Sequence, residues 1–362
     1  MNKVTMEFLA QAHFLSDLQL SPQGGTAAFL QCQCRDEGYA KSLYLAENTT
    51  IRRLTQPGVG QFLWEDEKTL LFTASGRYDA AQMRPAEQTE LFRIRTDGGE
   101  ARLLYRLPLQ IETMLKQDDD HLLVEAQVGV DCPDYALLSD CQREEVNRRR
   151  QQQQTVQVLN ETPFVLDGSG FIDGKRGRLF RVDLRNGAIK ALSPAHQSVS
   201  QIALDQDQLL LCVKSVDTIR TEQDALIQLD LRSARSSTLV EQGTMRIRQI
   251  GWVKGKAVFF GSFNQRYGTT ENPKLYEVDE NGLRCLFDTE EHYGASCVMS
   301  DMQYGSGRQA LINDEGVLAV HTCRYQDEIV RLKDGQSTTL VSWPGSIQAI
   351  AAAGERIWLI AM

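Results

Sequence analysis

Short apolar runs and turn-forming residues alternate along the whole chain, and one arrangement of them recurs. It reads LYLA from Leu43, LFRI from Leu91, LFRV from Leu179, LIQL from Leu226, LYEV from Leu275 and IVRL from Ile329. A turn follows each copy: Asn48, Asp97-Gly98-Gly99, Asn186-Gly187, Ser233-Ala234, Asn281-Gly282 and Asp334-Gly335. A second short apolar run comes next, such as IRRL, ARLL or LRCL. Strand, Gly- or Asn-containing turn and strand predict a β-hairpin. Before each hairpin lies a denser apolar strand, from TAAFLQCQC at Thr26 to RIWLIAM at Arg356. Upstream of that lies one more: DLQLSPQ, QFLWEDE, IETMLKQ, SQIALDQ, IRQIGWV, SCVMSDM and IQAIAAA.

The hairpins are spaced by 48, 88, 47, 49 and 54 residues. A period near 48 with four short strands per repeat is the signature of a β-propeller blade, and the 88 is one period plus an insertion. The two inner strands occur seven times and the outer hairpin six. The sequence therefore predicts an all-β, seven-bladed β-propeller in one domain over residues 1–362, its last blade truncated after two strands. Blades are expected at 10–57, 58–108, 109–195, 196–243, 244–291, 292–345 and, in part, 346–362, with an insertion at 132–158 in blade three. Val4 to Leu9 is the candidate for a strand that closes the last blade.

Composition narrows the function. A net charge of −9 sets the chain against nucleic-acid binding, which needs a basic surface. No signal-peptide pattern opens the chain, and no run reaches the ~18 apolar residues of a membrane span. The eight cysteines are scattered without C-x-x-C pairs, which points to a reducing cytoplasm and to no metal knuckle. No cofactor is expected.

The most distinctive stretch, PFVLDGSGFIDGKRGRLFRVDLRNGAIKALSP from Pro163 to Pro194, resembles the third blade of the acylaminoacyl-peptidase branch of the prolyl oligopeptidase family. The charged segment Cys132 to Gln157 before it fits the insertion that this blade often carries there. The resemblance implies a propeller that caps a C-terminal α/β-hydrolase domain with a Ser-Asp-His triad. Short peptides would be its substrates. This chain holds no G-x-S-x-G nucleophile elbow, and its five histidines are dispersed. No catalytic residue is carried over, and the hydrolase domain is expected after Met362. The chain alone is expected to be inactive.

Gly168, Gly170, Phe171 and Asp173 are the candidate interdomain or substrate-gating loop, although glycines there also suit a plain turn. Glu144 and Glu145 form a candidate amine-recognition pair, since related dipeptidyl peptidases bind a free amino terminus with paired propeller glutamates. The neighbouring Arg148-Arg149-Arg150 suggests instead a solvated, self-paired helix. Asp118-Asp119-Asp120-His121 reads as a turn rather than a metal site, and Cys32 and Cys34 as a core pair on one side of a strand.

The leading expectation is a peptidase propeller that gates access to the active site. The alternative is a stand-alone protein-binding scaffold of the TolB type. A propeller lactonase or glycosidase is a third class, but the inner strands repeat no acidic position. A bare strand edge at the end of the chain leads to the expectation of pairing between copies.

Overall fold

The computed structural model describes residues 5, 11–35, 38–74, 87–153, 158–159, 161–166, 170–172, 174–215, 219, 221–298, 305 and 307–362. Gly168, Asp173, the loop Arg77 to Arg84 and the candidate closing strand at 4–9, Thr5 apart, lie outside them.

The described residues form antiparallel sheets whose strands follow chain order. The first sheet holds β1 (His13–Leu20), β2 (Ala27–Arg35), β3 (Gly38–Glu47) and β4 (Thr50–Arg53). The second holds β5 (Val59–Asp66), β6 (Thr69–Ala74), β7 (Thr89–Arg95) and β8 (Arg102–Leu107). The third begins with β9 (Gln110–Lys116) and β10 (His121–Gly129). The helix α1 (Asp140–Gln152) and the hairpin β11 (Val165–Leu166) and β12 (Gly170–Phe171) intervene, and β13 (Lys175–Asp183) and β14 (Ile189–Ala191) complete the sheet.

The fourth sheet is β15 (Gln197–Asp205), β16 (Gln208–Ser215), β17 (Asp224–Asp230) and the first half of β18 (Ser236–Val253). The second half of β18 opens the fifth, with β19 (Lys256–Ser262), β20 (Lys274–Asp279) and β21 (Gly282–Phe287). Gly243, at φ +89°, allows the bend that joins the two halves. The sixth sheet is β22 (Ala310–Asn313), β23 (Gly316–Cys323), β24 (Gln326–Lys333) and β25 (Gln336–Trp343). β26 (Ile347–Ala353) and β27 (Arg356–Ala361) pair at the end.

Second strands carry almost unbroken apolar runs because both of their faces are covered; every residue of β6 is buried. Fourth strands are more exposed than second strands, most of all β4, where charge blunts the free edge. Each pair of neighbouring sheets shares one apolar cluster. Leu30 and Leu43 meet Phe72 and Phe92; Leu71 and Leu91 meet Val124 and Phe180; Leu123 and Leu179 meet Leu209 and Leu211. Leu210 and Leu226 meet Trp252 and Phe259, and Phe260 and Leu275 meet Ala319 and Val330. Val320 and Ile329 pack on Ile347 and Ile350, and Ala349 and Ile360 pack on Leu18 and Ala27 of the first sheet. The packing thus runs in a circuit from the first sheet back to itself.

Polar latches repeat between the sheets. Thr89, Asp224 and Asp327, each at or next to the start of a third strand, accept the backbone N–H of Ile111, Ile247 and Ile347 in the next sheet. Trp64 and Trp252 donate their indole N–H to the carbonyls of Gln19 and Ala203 in the sheet before.

One expected strand is displaced. The first strand of the sixth sheet is Ala310–Asn313, joined to β23 by the two-residue turn Asp314-Glu315, and not SCVMSDM. Ser296 to Val298 are irregular, because their polar groups are spent on side-chain bonds: Cys297 N–H donates to Thr322 and Val298 N–H to Ser296 Oγ.

Candidate functional site

Strand order decides which loops share a face. Successive strands run in opposite directions, so connections after second and fourth strands emerge together. The long connections at 75–88, 130–174, 216–223, 263–273 and 288–309 are all of that kind. The opposite face has short turns, such as the two-residue ones at 206–207, 254–255 and 314–315. Long loops on a rigid scaffold are where binding residues concentrate.

The longest loop, at 130–174, is built and fastened by arginines. Ser139 and Gln142 close a capping box at the start of α1. Arg150 forks onto Asp131 at 2.9 and 2.8 Å, approaches Glu87 at 3.2 Å and covers the Tyr135 ring. That bidentate bond holds the Asp131 carboxyl below its usual range. Val146 is the one buried residue of the helix. From β13, Arg176 pairs with buried Glu161, while Arg178 reaches Asp134 and the Pro133 carbonyl at 2.7 and 2.6 Å. These arginines fall within the family-like stretch KRGRLFRV, which gave no sign of this fastening role. With so little apolar contact, α1 depends on its ion pairs. Arg150→Ala is expected to cost the helix about 1–2 kcal/mol of local stability, read as faster amide exchange over 140–152 with an unchanged global unfolding midpoint.

Beyond α1 the loop turns apolar and exposed. Phe171, on β12, is 59% exposed, and Phe164 and Val165 beside it are 54% and 47%. Ile219 of the next long loop, 73% exposed, meets this segment through a parallel bridge to Thr162. Gly170 pairs with Leu166 in the hairpin. Contiguous apolar surface on a loop face marks a place where another surface docks.

Glu144 and Glu145 do not converge. Both are exposed on α1, where Glu145 faces Arg148 at 3.7 Å and Glu144 lines a cleft of about 270 Å³ with Glu87, Arg106 and Asp140. Adjacent helix positions point about 100° apart. The aspartates at 118–120 also diverge: Asp118 bonds His121, Asp119 bonds Lys116, and Asp120 faces Arg185. Among the described residues no three His, Cys, Asp or Glu side chains are grouped to hold a metal. Cys32 is buried and Cys34 half-buried, and both are free thiols.

The first strands of the sheets line the inside of the circuit, and most carry a bulge that turns a side chain out of the ladder. The last three first strands, β18, β22 and β26, each end in a two-residue turn, so positions in and before them can be matched by counting back. Arg248, Arg308 and Gln348 each stand two residues before the partner of the corresponding residue in the next strand: Ile250 opposite Phe259, Ala310 opposite Ala319, and Ile350 opposite Leu359. Arg308 carries exposed surface, yet surrounding protein strips enough water to push its guanidinium below the usual value. Glu112, the bulge residue of β9, is exposed in the third sheet. None of these positions was singled out in the sequence, since cross-strand register is not a local pattern.

This is the fold of a β-propeller domain, and solved peptidases share it. It superposes on the Pyrococcus horikoshii acylaminoacyl peptidase with a TM-score of 0.67 at 13% identity, over 97% of this chain and 49% of that one. The β-propeller domain of the trilobed protease from Pyrococcus furiosus gives a TM-score of 0.60 at 12% identity, over 97% of this chain and 90% of that one. In sequence, an uncharacterized peptidase of Bacillus subtilis (strain 168), YuxL, is 26% identical over 203 residues, 52% of this chain and 28% of that protein. No family model matches the chain. The chain thus spans about half the length of the solved acylaminoacyl peptidase and less of the curated relative. Among the described residues no helix is long and apolar enough to cross a membrane.

Proposed function

We propose that this chain is the non-catalytic propeller of a serine peptidase of the prolyl oligopeptidase family, acting on short peptides. The observation that carries the reading is the match to an acylaminoacyl peptidase that covers nearly all of this chain and only half of that enzyme. The circuit of sheets is then a seven-bladed propeller, with β26 and β27 the part of the seventh blade contained here. The loop face carrying Gly170 and Phe171 is the side that meets an α/β-hydrolase domain of the same protein. The apolar hairpin there supports this, because docking would remove Phe164, Val165 and Phe171 from water. A ring of packed blades above an active site admits short, flexible peptides and holds back folded proteins, which is how the domain would gate access.

Fold does not by itself fix chemistry, so two measurements test the reading. The purified 362-residue chain should turn over no N-acetyl-aminoacyl or peptide anilide and take up no fluorophosphonate probe. Labelling that survives purification and maps to a serine of this chain would overturn the non-catalytic assignment. The coding sequence downstream of Met362 should encode G-x-S-x-G, then Asp, then His; a stop codon there would favour the stand-alone scaffold.

A further inference from the structure

The outer strand of each sheet presents an open edge, and native proteins blunt such edges with charge or keep them short. The fourth strands of the first five sheets follow that rule. β4 carries Arg52 and Arg53, β8 Arg102 and Arg106, β14 Lys190, the first half of β18 Glu241 and β21 Arg284, all of them exposed. β25 does not follow it. It reads QSTTLVSW, eight residues without a charge, a proline or a glycine, and all but Val341 are exposed. Its threonines, Val341 and Trp343 are strand-forming residues.

The edge is also held in place. β25 pairs with β24 alone. Thr339 and Ser342 donate their hydroxyls to Glu328 of β24 at 2.9 and 3.3 Å, and the Trp343 indole N–H donates to the Met362 carbonyl at 3.1 Å. With these side chains fixed, little ordering remains to be lost when a further strand is added. The register with β24 slips once, at Leu340, but β8, β18 and β21 carry similar slips. The absence of charge is what sets β25 apart.

Charge also selects the occupant. The chain carries a net charge of −9, so two copies repel each other at long range. A contact between copies is favoured where neither brings a charge to it, and β25 offers such a place. Across a twofold axis two β25 strands run antiparallel, and in no register do like charges oppose each other along the eight residues. The same pairing through β4 or β8 would crowd the arginines of both copies onto one short ladder.

We propose that β25 is a dimerisation edge, which pairs antiparallel with β25 of a second copy and joins the two sixth sheets into one. Fourth strands run toward the long-loop face, so antiparallel pairing points the long-loop faces of the two copies in opposite directions and leaves both open. The dimer does not depend on the peptidase reading.

Sedimentation velocity of the full chain, from about 1 to 200 µM and at about 20 and 300 mM salt, tests this. The chain should dimerise as its concentration rises, and more tightly at the higher salt, because screening weakens the repulsion. Thr338→Lys adds the kind of charge that blunts the other edges and should weaken association at least tenfold, with circular dichroism and melting unchanged. Ile51→Lys, at an exposed position on β4, should leave association unaltered. Amide exchange over 336–343 should slow at the higher concentration in the parent and not in Thr338→Lys. A chain that stays monomeric throughout, or a dimer indifferent to Thr338→Lys, would overturn the proposal. Concentration-dependent protection confined to 356–361 or to 165–166 would also overturn it, by placing the contact on β27 or on the exposed hairpin.

Discussion

Replacing Gly177 with alanine is expected to destabilise the protein more than any other single-methyl change in the family-like stretch. A Cβ at this position would lie 2.0 Å from the Val199 carbonyl oxygen and 2.5 Å from Glu125 Oε1. The first of these is main chain of β15, so no rotamer change relieves it. Gly177 sits in β13 opposite Gln127 and against the β15 backbone, and its N–H donates to Ser198 Oγ at 3.3 Å. The two sheets would have to part, which opens the cluster of Leu123, Leu179, Leu209 and Leu211. Overpacking of this kind costs about 3 kcal/mol or more. Gly25, whose added Cβ would meet only a flexible Glu67 oxygen at 4.0 Å, is the control; its alanine variant should stay within about 0.5 kcal/mol of the parent. Urea unfolding of both variants decides the matter, and equal midpoints would show that the sheets adjust freely.

That contact shows where a reading of the sequence succeeds and where it stops. The recurrent LFRV-type strands, their Asn and Gly turns and the dense apolar strands before them were legible, because both the period of a half-buried strand and the chemistry of a tight turn are local. The strand Ala310–Asn313 was not. It holds four residues, and the preceding irregular stretch contains the apolar Cys297 and Val298, which imitate a strand in pattern alone. The 54-residue spacing to Ile329 held the clue, being longer than its neighbours by about the length of a loop.

The candidate sites divide in the same way. Phe171 stood out by its place in a glycine-rich motif, and it lies exposed on the long-loop face. Glu144 and Glu145 stood out as a pair in the sequence, but a helix separates adjacent side chains. Arg248 and Arg308 are 60 residues apart and share no motif; only the pairing of β18 with β19 and of β22 with β23 shows that both stand five residues before the last paired residue of their first strands. Register is set by every cross-strand contact at once, and no local pattern reports it.

Glu125 should make the protein lose stability as the pH rises through neutrality, and Glu125→Gln should abolish that loss. The side chain is 5% exposed on β10, paired between Thr113 of β9 and Leu179 of β13, with a carboxylate oxygen beside Gly177. Burial pushes its carboxyl up to about 7, and the nearby Glu112 pushes in the same direction, while hydrogen bonds from Thr113 and Gln127 oppose them in part. In the unfolded chain the same group titrates near its ordinary value of 4.5. Below that value both states hold the proton and folding is not penalised. Between about 4.5 and 7 the unfolded chain releases its proton while the folded one keeps it, so stability falls with rising pH, and above about 7 the penalty is complete. At roughly 1.4 kcal/mol per pH unit the full effect is on the order of 3 kcal/mol. Glutamine has the shape of protonated glutamic acid and keeps the bonds to Thr113 and Gln127, so the variant should gain most of that amount at pH 8 and almost nothing at pH 4.5. Urea unfolding of parent and variant across that interval gives the comparison. Parallel stability curves would mean that Glu125 ionises in the folded protein at its ordinary pKa, and that the junction of the third and fourth sheets is open to water.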